Sequence, residues 1–196
     1  MKKVDFYFDF MSPYAYLASV RLPMLIENFK GRAEVDLHAI DLVAARFAAG
    51  NNGPFNRNIP RKIKYLLSDM KRWAERYGVP MGFPGGMDTA RLQRGFWCAK
   101  LRGTGAAYMK AGFHEVWGKS GDPNDDALIR RVADAAGIAG DKLIAEIDSP
   151  EIVATYAREN SAAQERGVFG VPIFITDDQM YWGNDRIEFL EEYLRA

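Results

Sequence analysis

The sequence predicts an α/β protein, a mixed sheet flanked by helices and split by an all-helical insertion. Three observations carry this reading. The chain opens with a strand, a long helix and a strand; residues 60–147 show almost no strand signal; and a helix, a hairpin and a helix close it. The order βαβ…αββα satisfies the layer rules without a long structureless loop.

Val4-Asp5-Phe6-Tyr7-Phe8-Asp9-Phe10 alternates with period two and is rich in aromatics, which makes it a strand. Ser12-Pro13 then opens a helix in which Tyr16, Leu17, Val20, Met24 and Leu25 recur at three- and four-residue spacing. A serine oxygen accepts from the unpaired N–H groups of a first turn, and proline suits that turn because it has no N–H to satisfy. Gly31 closes the helix, and Val35, Leu37 and Ala39 alternate with Glu34, Asp36 and His38 as a second strand. A strand–helix–strand crossover implies parallel pairing.

Asn51-Asn52-Gly53-Pro54 is a loop by composition. Helical periodicity follows at 61–77, stopped by Gly78 and Pro80, and at 89–102, 106–117, 123–136 and 141–146. Ser149-Pro150-Glu151 repeats the serine–proline start for a helix that runs to about Arg166. Ile173-Phe174-Ile175-Thr176, a turn at Asp177-Asp178 and Met180-Tyr181-Trp182 form a hairpin, and 186–194 a closing helix. Residues 1–59 and 148–196 are thus expected to form the sheet domain and 60–147 the insertion.

Composition narrows the function classes. With 196 residues, 48% hydrophobic and 27% charged, the chain is neither a disordered tail nor a fibrous or low-complexity scaffold. Twenty-six basic side chains balance 26 acidic ones, against a dedicated nucleic-acid or membrane-surface binder. The balance hides an asymmetry: residues 1–100 carry 16 basic and 9 acidic groups, residues 101–196 carry 10 and 17. The basic excess concentrates between Arg57 and Arg76, either as a solvated helix face or as a site for small anions. One cysteine, Cys98, excludes an internal disulfide framework and reads as a small buried apolar residue. His38 and His114 alone leave little material for a metal centre, and none is expected. Met1-Lys2-Lys3 could open a signal peptide, but Asp5 and Asp9 interrupt the apolar run, and no stretch reaches the roughly 18 apolar residues of a membrane span. A reducing cytoplasm is the expected location.

Three segments could carry chemistry. Ser12-Pro13-Tyr14 sits at a strand-to-helix junction, where free N–H groups and the helix dipole attract negative charge; its bland reading is a helix cap. Phe169-Gly170-Val171-Pro172 precedes the hairpin, and a proline there is compatible with an ordinary turn. Trp182-Gly183-Asn184-Asp185-Arg186 precedes the last helix, with Asp185 as its cap and Gly183 in a tight turn on the bland reading. In the predicted topology all three can lie at one sheet edge, where open α/β folds bind ligands.

These segments, with Phe8-Asp9-Phe10-Met11 ahead of Ser12, resemble the 2-hydroxychromene-2-carboxylate isomerase family. That family lies in the DsbA-like and kappa-class glutathione transferase branch of the thioredoxin superfamily. The resemblance spans essentially the whole chain, including Ala39-Ile40-Asp41-Leu42, Gly53-Pro54-Phe55-Asn56-Arg57 and Arg72-Trp73-Ala74. It implies a thioredoxin-like fold with a helical insertion. Where DsbA-type oxidoreductases begin the helix with Cys-x-x-Cys, this chain has Ser12-Pro13-Tyr14-Ala15, so dithiol exchange cannot operate.

The resemblance further implies that glutathione is the cofactor and brings the thiol, with Ser12 hydrogen-bonding its sulfur. A free thiol with pKa near 8.5 is only about 3% thiolate at pH 7. Lowering it by about two units requires about 2.7 kcal/mol, within reach of one charge-assisted hydrogen bond plus a helix dipole. Val171, before a proline expected to be cis at Pro172, would offer its backbone to the tripeptide as an added strand. Asn184 and Asp185 would meet the γ-glutamyl end, Asp185 pairing its ammonium, with Trp182 and Gly183 completing the wall. For a small aromatic carboxylate substrate the resemblance points to Arg46, Asn56, Arg57 and the Met87 position. A guanidinium binds a carboxylate bidentately. The family often has lysine where Arg46 stands, Arg57 also reads as a surface charge, and Met87 as core filler.

The activity implied is a glutathione-dependent isomerisation in bacterial aromatic catabolism of the naphthalene type. A kappa-like transferase or peroxidase that consumes glutathione, and a non-enzymatic thioredoxin-fold binding module, are the alternatives. Relatives in the kappa branch are usually dimers, so a homodimer is expected. Nucleic acid would require strongly salt-dependent binding along 57–76, which the acidic second half opposes.

Overall fold

Four strands make one mixed sheet: β1 (Lys2–Phe8), β2 (Ala33–Ala39), β3 (Ile173–Thr176) and β4 (Gln179–Trp182), ordered β2-β1-β3-β4. The computed structural model describes all 196 residues. β1 pairs with β2 in parallel, Phe6 opposite Leu37, as the crossover requires, and with β3 in antiparallel, Phe6 opposite Phe174. β3 and β4 form the hairpin, with Ile175 opposite Met180.

The helices are α1 (Pro13–Asn28), α2 (Leu42–Ala48), α3 (Pro60–Tyr77), α4 (Ala90–Leu101), α5 (Gly105–Phe113), α6 (Asp126–Ala135), α7 (Gly140–Glu146), α8 (Pro150–Glu165) and α9 (Ile187–Arg195). Serine caps α1 and α8 as expected, Ser12 accepting from Ala15 N–H and Ser149 from Ile152 N–H. Gly78, at φ 65°, ends α3 in the left-handed conformation that glycine adopts without strain.

Four details depart from the sequence reading. The α2 helix is new: Asp41 caps it through Ala44 N–H at 3.0 Å, but its seven residues are too few to show a period. The helix expected over 106–117 is regular only to Phe113 and then widens into a π-turn, His114–Gly118. The helix expected from 123 starts at Asp126, because Asp125 takes the cap. The last helix is entered through a tight 3-10 turn, Asn184–Arg186, and Asp185 is not its cap: its carboxylate turns to Arg186 at 2.8 Å.

Aromatic packing joins the sheet to the insertion. Phe6 stacks on Phe174 at 4.7 Å, Phe8 meets Phe96 of α4 edge-on at 5.0 Å, and Phe10 lies 4.9 Å from Phe113 of α5. All six are fully buried. Trp97 donates its indole N–H to the Ala39 carbonyl (3.0 Å) and Lys100 its ammonium to that of Leu37 (2.7 Å), pinning α4 to the end of β2. Cys98 lies buried on the same helix, and burial pushes its thiol up to about 11.

His38, without a partner in the linear sequence, gains two on the sheet. Its Nε2 lies 3.3 Å from both Asp5 Oδ1 and Asp36 Oδ2, and its ring stacks on Tyr7. Each carboxylate also meets a cation, Arg166 at Asp5 and Lys100 at Asp36, so the cluster is compensated within the protein. The His38 hydrogen bond and Lys100 hold Asp36 well below the usual carboxylate range. No helix is long and apolar enough to cross a membrane.

Gly112 of α5 tests how firmly this core holds Phe10. A β-carbon there would stand 2.6 Å from Phe10 Cε1, and that ring is confined by Phe8, Tyr108 and Phe113. Gly112→Ala is expected to destabilise the fold by about 1–3 kcal/mol in denaturant titration, the range of an overpacked core. An unchanged midpoint would mean that Phe10 is free to move.

Candidate active site

β1 ends where Asp9 folds back on the chain. Its carbonyl accepts Ser12 N–H at 2.9 Å and its Oδ1 accepts Met11 N–H at 2.8 Å. This turn delivers Ser12, in extended conformation, to the start of α1. There the side-chain oxygen accepts Ala15 N–H (3.2 Å) while the hydroxyl proton faces the Val171 carbonyl at 3.4 Å. The atom that caps the helix therefore also lines a cleft. At 3.4 Å the outward bond is weak, so that proton is available to a better acceptor.

Opposite stands the turn before β3, where the Val171–Pro172 peptide is cis. The Val171 N–H has no backbone partner, and the Pro172 carbonyl accepts Gly183 N–H at 3.0 Å, tying this turn to the end of the hairpin. Gly183 has φ 113°, a conformation that favours glycine; a β-carbon there would also displace the Asp185 carboxylate, 2.6 Å away. Asn184 is buried and its Nδ2 has no partner, while Trp182, packed edge-on against Phe169 at 5.0 Å, is 57% exposed.

These segments open on one cleft of about 910 Å³. Ser12, Val171, Pro172, Trp182, Gly183, Asn184 and Asp185 line one side of it. The same cleft holds the remaining residues singled out in the sequence, Arg46, Asn56, Arg57 and Met87. Met87 is half-buried against the cleft rather than core filler. The guanidinium carbons of Arg46 and Arg57 sit over the Phe55 ring at 4.0 and 4.3 Å. Arg46 Nη2 donates to Asn51 Oδ1 and the Gly53 carbonyl, but its Nη1 is buried without a partner. The Asn56 amide oxygen is taken by Lys62 at 3.2 Å.

α3 lines the cleft too, its Ile63, Leu66, Met70 and Trp73 following helical spacing and turning inward while Arg61, Lys64, Lys71, Arg72 and Arg76 face solvent. Most of the basic excess is thus a solvated face, with Arg57 and Lys62 at the cleft. Tyr14 closes α3 onto α1 by donating to Asp69 Oδ2 at 2.8 Å. Burial and this bond raise the phenol, which keeps it a donor.

Sequence reading missed Asp9, Asp69 and the seat that Phe55 makes for two arginines. Nothing marks Asp69 in a helix rich in charge. Asp9 did leave a signal, a carboxylate between two fully buried phenylalanines. It is 2% exposed, and accepts from Met11 N–H, Leu42 N–H (3.0 Å) and the Thr89 hydroxyl (2.8 Å). Burial pushes its carboxyl from the ordinary 3.8 up to about 6, against the pull of those three donors.

Residues 3–195 match the DSBA-like thioredoxin domain. The chain is 39% identical over 193 residues to the 2-hydroxychromene-2-carboxylate isomerase of Sphingobium xenophagum, covering 98% of each. Its fold is similar to that of a solved 2-hydroxychromene-2-carboxylate isomerase, with a TM-score of 0.93 and 37% identity over 98% of this chain and 94% of the other. Glutathione S-transferase kappa 1 of Homo sapiens is 25% identical over 210 residues, covering 98% of this chain and 91% of that one.

The raised Asp9 carboxyl predicts a pH dependence of stability. The folded state binds this proton more tightly than the unfolded chain, so the stabilisation is complete below the ordinary 3.8 and is lost as pH rises through about 6. Asp9→Asn has no such titration. Its stability relative to the parent protein should therefore improve from about pH 4 to about pH 7 in denaturant melts. A deficit that is flat across that window would show that Asp9 does not titrate in it.

Proposed function

The chain belongs to the 2-hydroxychromene-2-carboxylate isomerase family within the DSBA-like thioredoxin domain, and we propose that it interconverts 2-hydroxychromene-2-carboxylate and trans-o-hydroxybenzylidenepyruvate with glutathione as cofactor. The observation that carries this reading is the Ser12 hydroxyl, held at a helix amino terminus in the same cleft as the unpartnered Nη1 of Arg46. A thiol-activating position and a carboxylate receptor thus share one cavity.

The residues present fit glutathione. The buried Asn184 Nδ2 and the Val171 N–H lack protein partners and belong to the side of the cleft that Ser12 lines. Glutathione, when bound, supplies a nucleophilic thiolate for reversible conjugate addition and is returned unchanged. Ser12 turns its proton from the Val171 carbonyl to the sulfur, and the first-turn N–H groups of α1 add positive potential there. Val171 offers its N–H to the peptide backbone. Asn184 donates to the γ-glutamyl carboxylate and Asp185 accepts from the ammonium. Trp182 and Gly183 wall that end.

Arg46 and Arg57 bind the substrate carboxylate, and their seat on Phe55 fixes the guanidinium planes before it arrives. Asn56 contributes its amide at the same end, Met87 and Trp73 enclose the aromatic ring, and fixed donors stabilise the enolate charge that develops. The reading places the enzyme in aromatic catabolism of the naphthalene type and in the cytoplasm. It includes a homodimer, for which exposed Phe47 and Phe189 offer apolar surface, and sedimentation mass checks it.

Turnover followed by absorbance is expected to require added glutathione, with the glutathione concentration unchanged at the end; net consumption would favour a transferase instead. Ser12→Ala should lower kcat by roughly 100-fold, as for loss of one fixed donor, and cost about 1 kcal/mol of stability through the cap. Unimpaired turnover in that variant would remove Ser12 from the chemistry. Phe55→Leu should leave the fold intact and raise KM for the aromatic acid by about tenfold, since both arginines lose their seat. An unchanged KM would show that the arginines do not need it.

A further inference from the structure

Asp9 is a buried carboxylate that no step above uses, and its hydrogen bonds reach the segments that carry Ser12, Arg46 and Met87. Oδ1 accepts Met11 N–H, the residue before Ser12, and also the Thr89 hydroxyl. Oδ2 accepts Leu42 N–H, the first residue of α2, whose next turn carries Arg46. Thr89 stands two residues after Met87, at the residue that precedes α4. Behind it, Thr89 accepts from Gln93 Nε2 (2.7 Å), and Gln93 Oε1 accepts from the Tyr156 hydroxyl of α8 (2.8 Å). On the same helix Asn160 donates to the Tyr156 carbonyl and accepts Asp41 N–H at 2.6 Å.

We infer that Asp9 is a positioning residue, whose two oxygens lock the Ser12 end of α1, the start of α2 and the start of α4 into one frame and so set Ser12 against Arg46. The inference rests on the proposed glutathione-dependent reaction for its consequence, but the frame itself is a property of the unliganded protein. Only a carboxylate meets the pattern. Both backbone partners are donors, one on each oxygen. An amide would set its NH2 against one of them whichever way it flips, leaving a buried N–H without an acceptor. The charged groups facing Asp9 are few: Asp41 raises its carboxyl, and Tyr156 is neutral, its phenol raised chiefly by burial.

The test is Asp9→Asn, read in two ways. Amide hydrogen exchange on the unliganded protein should show Met11 and Leu42 exchanging at least about tenfold faster than in the parent protein, with the Phe6 amide in β1 still protected. Turnover at saturating glutathione, below the melting temperature, should show kcat lowered by about tenfold or more, with KM for the aromatic acid raised. Exchange at parent rates, or an unchanged kcat in a variant that merely melts earlier, would overturn the inference. If Asp9→Asn does not fold, Thr89→Val decides. It removes one donor from Oδ1, and should speed Met11 exchange and lower kcat by about threefold; no change in either overturns the inference. Turnover by the parent protein without glutathione would instead sink the functional reading, and the exchange result would stand apart from it.

Discussion

Between Asp9 and Ser12 the chain must change from a strand buried among aromatics to a helix, and each backbone N–H freed there needs an acceptor. In a dry interior an unpaired donor costs on the order of 1–3 kcal/mol, so the turn forms only where oxygens are supplied. The carbonyl and carboxylate of Asp9 take the N–H groups of Ser12 and Met11, and the Ser12 side chain takes that of Ala15. A hydroxyl held in this way at the amino end of a 16-residue helix is already aimed at whatever anion enters the cleft. On the proposed reading, the capping requirement and the chemistry are one arrangement.

The insertion belongs to this arrangement. Its α4 and α5 contribute Phe96 and Phe113 to the packing around Phe8 and Phe10, and Trp117 anchors the Phe10 carbonyl at 2.7 Å. The strand's exit is therefore clamped from the helical side. α3 reaches over the cleft with its apolar stripe inward, and the Tyr14–Asp69 hydrogen bond joins it to the second residue of α1. Hydroxyl, arginines and aromatic wall come from different parts of the chain, yet each is fixed to β1 or α1 through one or two contacts.

Period and punctuation revealed most of the scaffold. Alternation along Val4–Phe8, the paired serine–proline starts at 12 and 149, and the acidic turn at 177–178 each have a local physical cause, and the elements formed where that cause acts. What stayed hidden depends on contacts across the fold. Asp41 resembled any loop acid until Ala44 N–H met it. His38 acquired its carboxylate neighbours only through strand pairing. Asp185 resembled a cap, but a tight turn and the adjacent Arg186 drew its carboxylate aside. The cleft residues were legible as a resemblance between motifs; that Arg46 and Arg57 both pack on the Phe55 ring, or that Asp9 braces three helix starts, has no periodic signature.

Cys98 brings a consequence of its own. A protein that hosts conjugated carbonyl compounds is exposed to alkylation at any sulfhydryl it carries. Its one such group is sealed in α4, and with a pKa of about 11 it is ionised in only about one molecule in ten thousand at neutral pH. The protein offers an electrophile no competing thiol. On the proposed glutathione-dependent reading, nucleophilic sulfur enters only as a diffusible visitor, and a visitor spoiled by overreaction departs and is replaced, leaving the polypeptide unmarked.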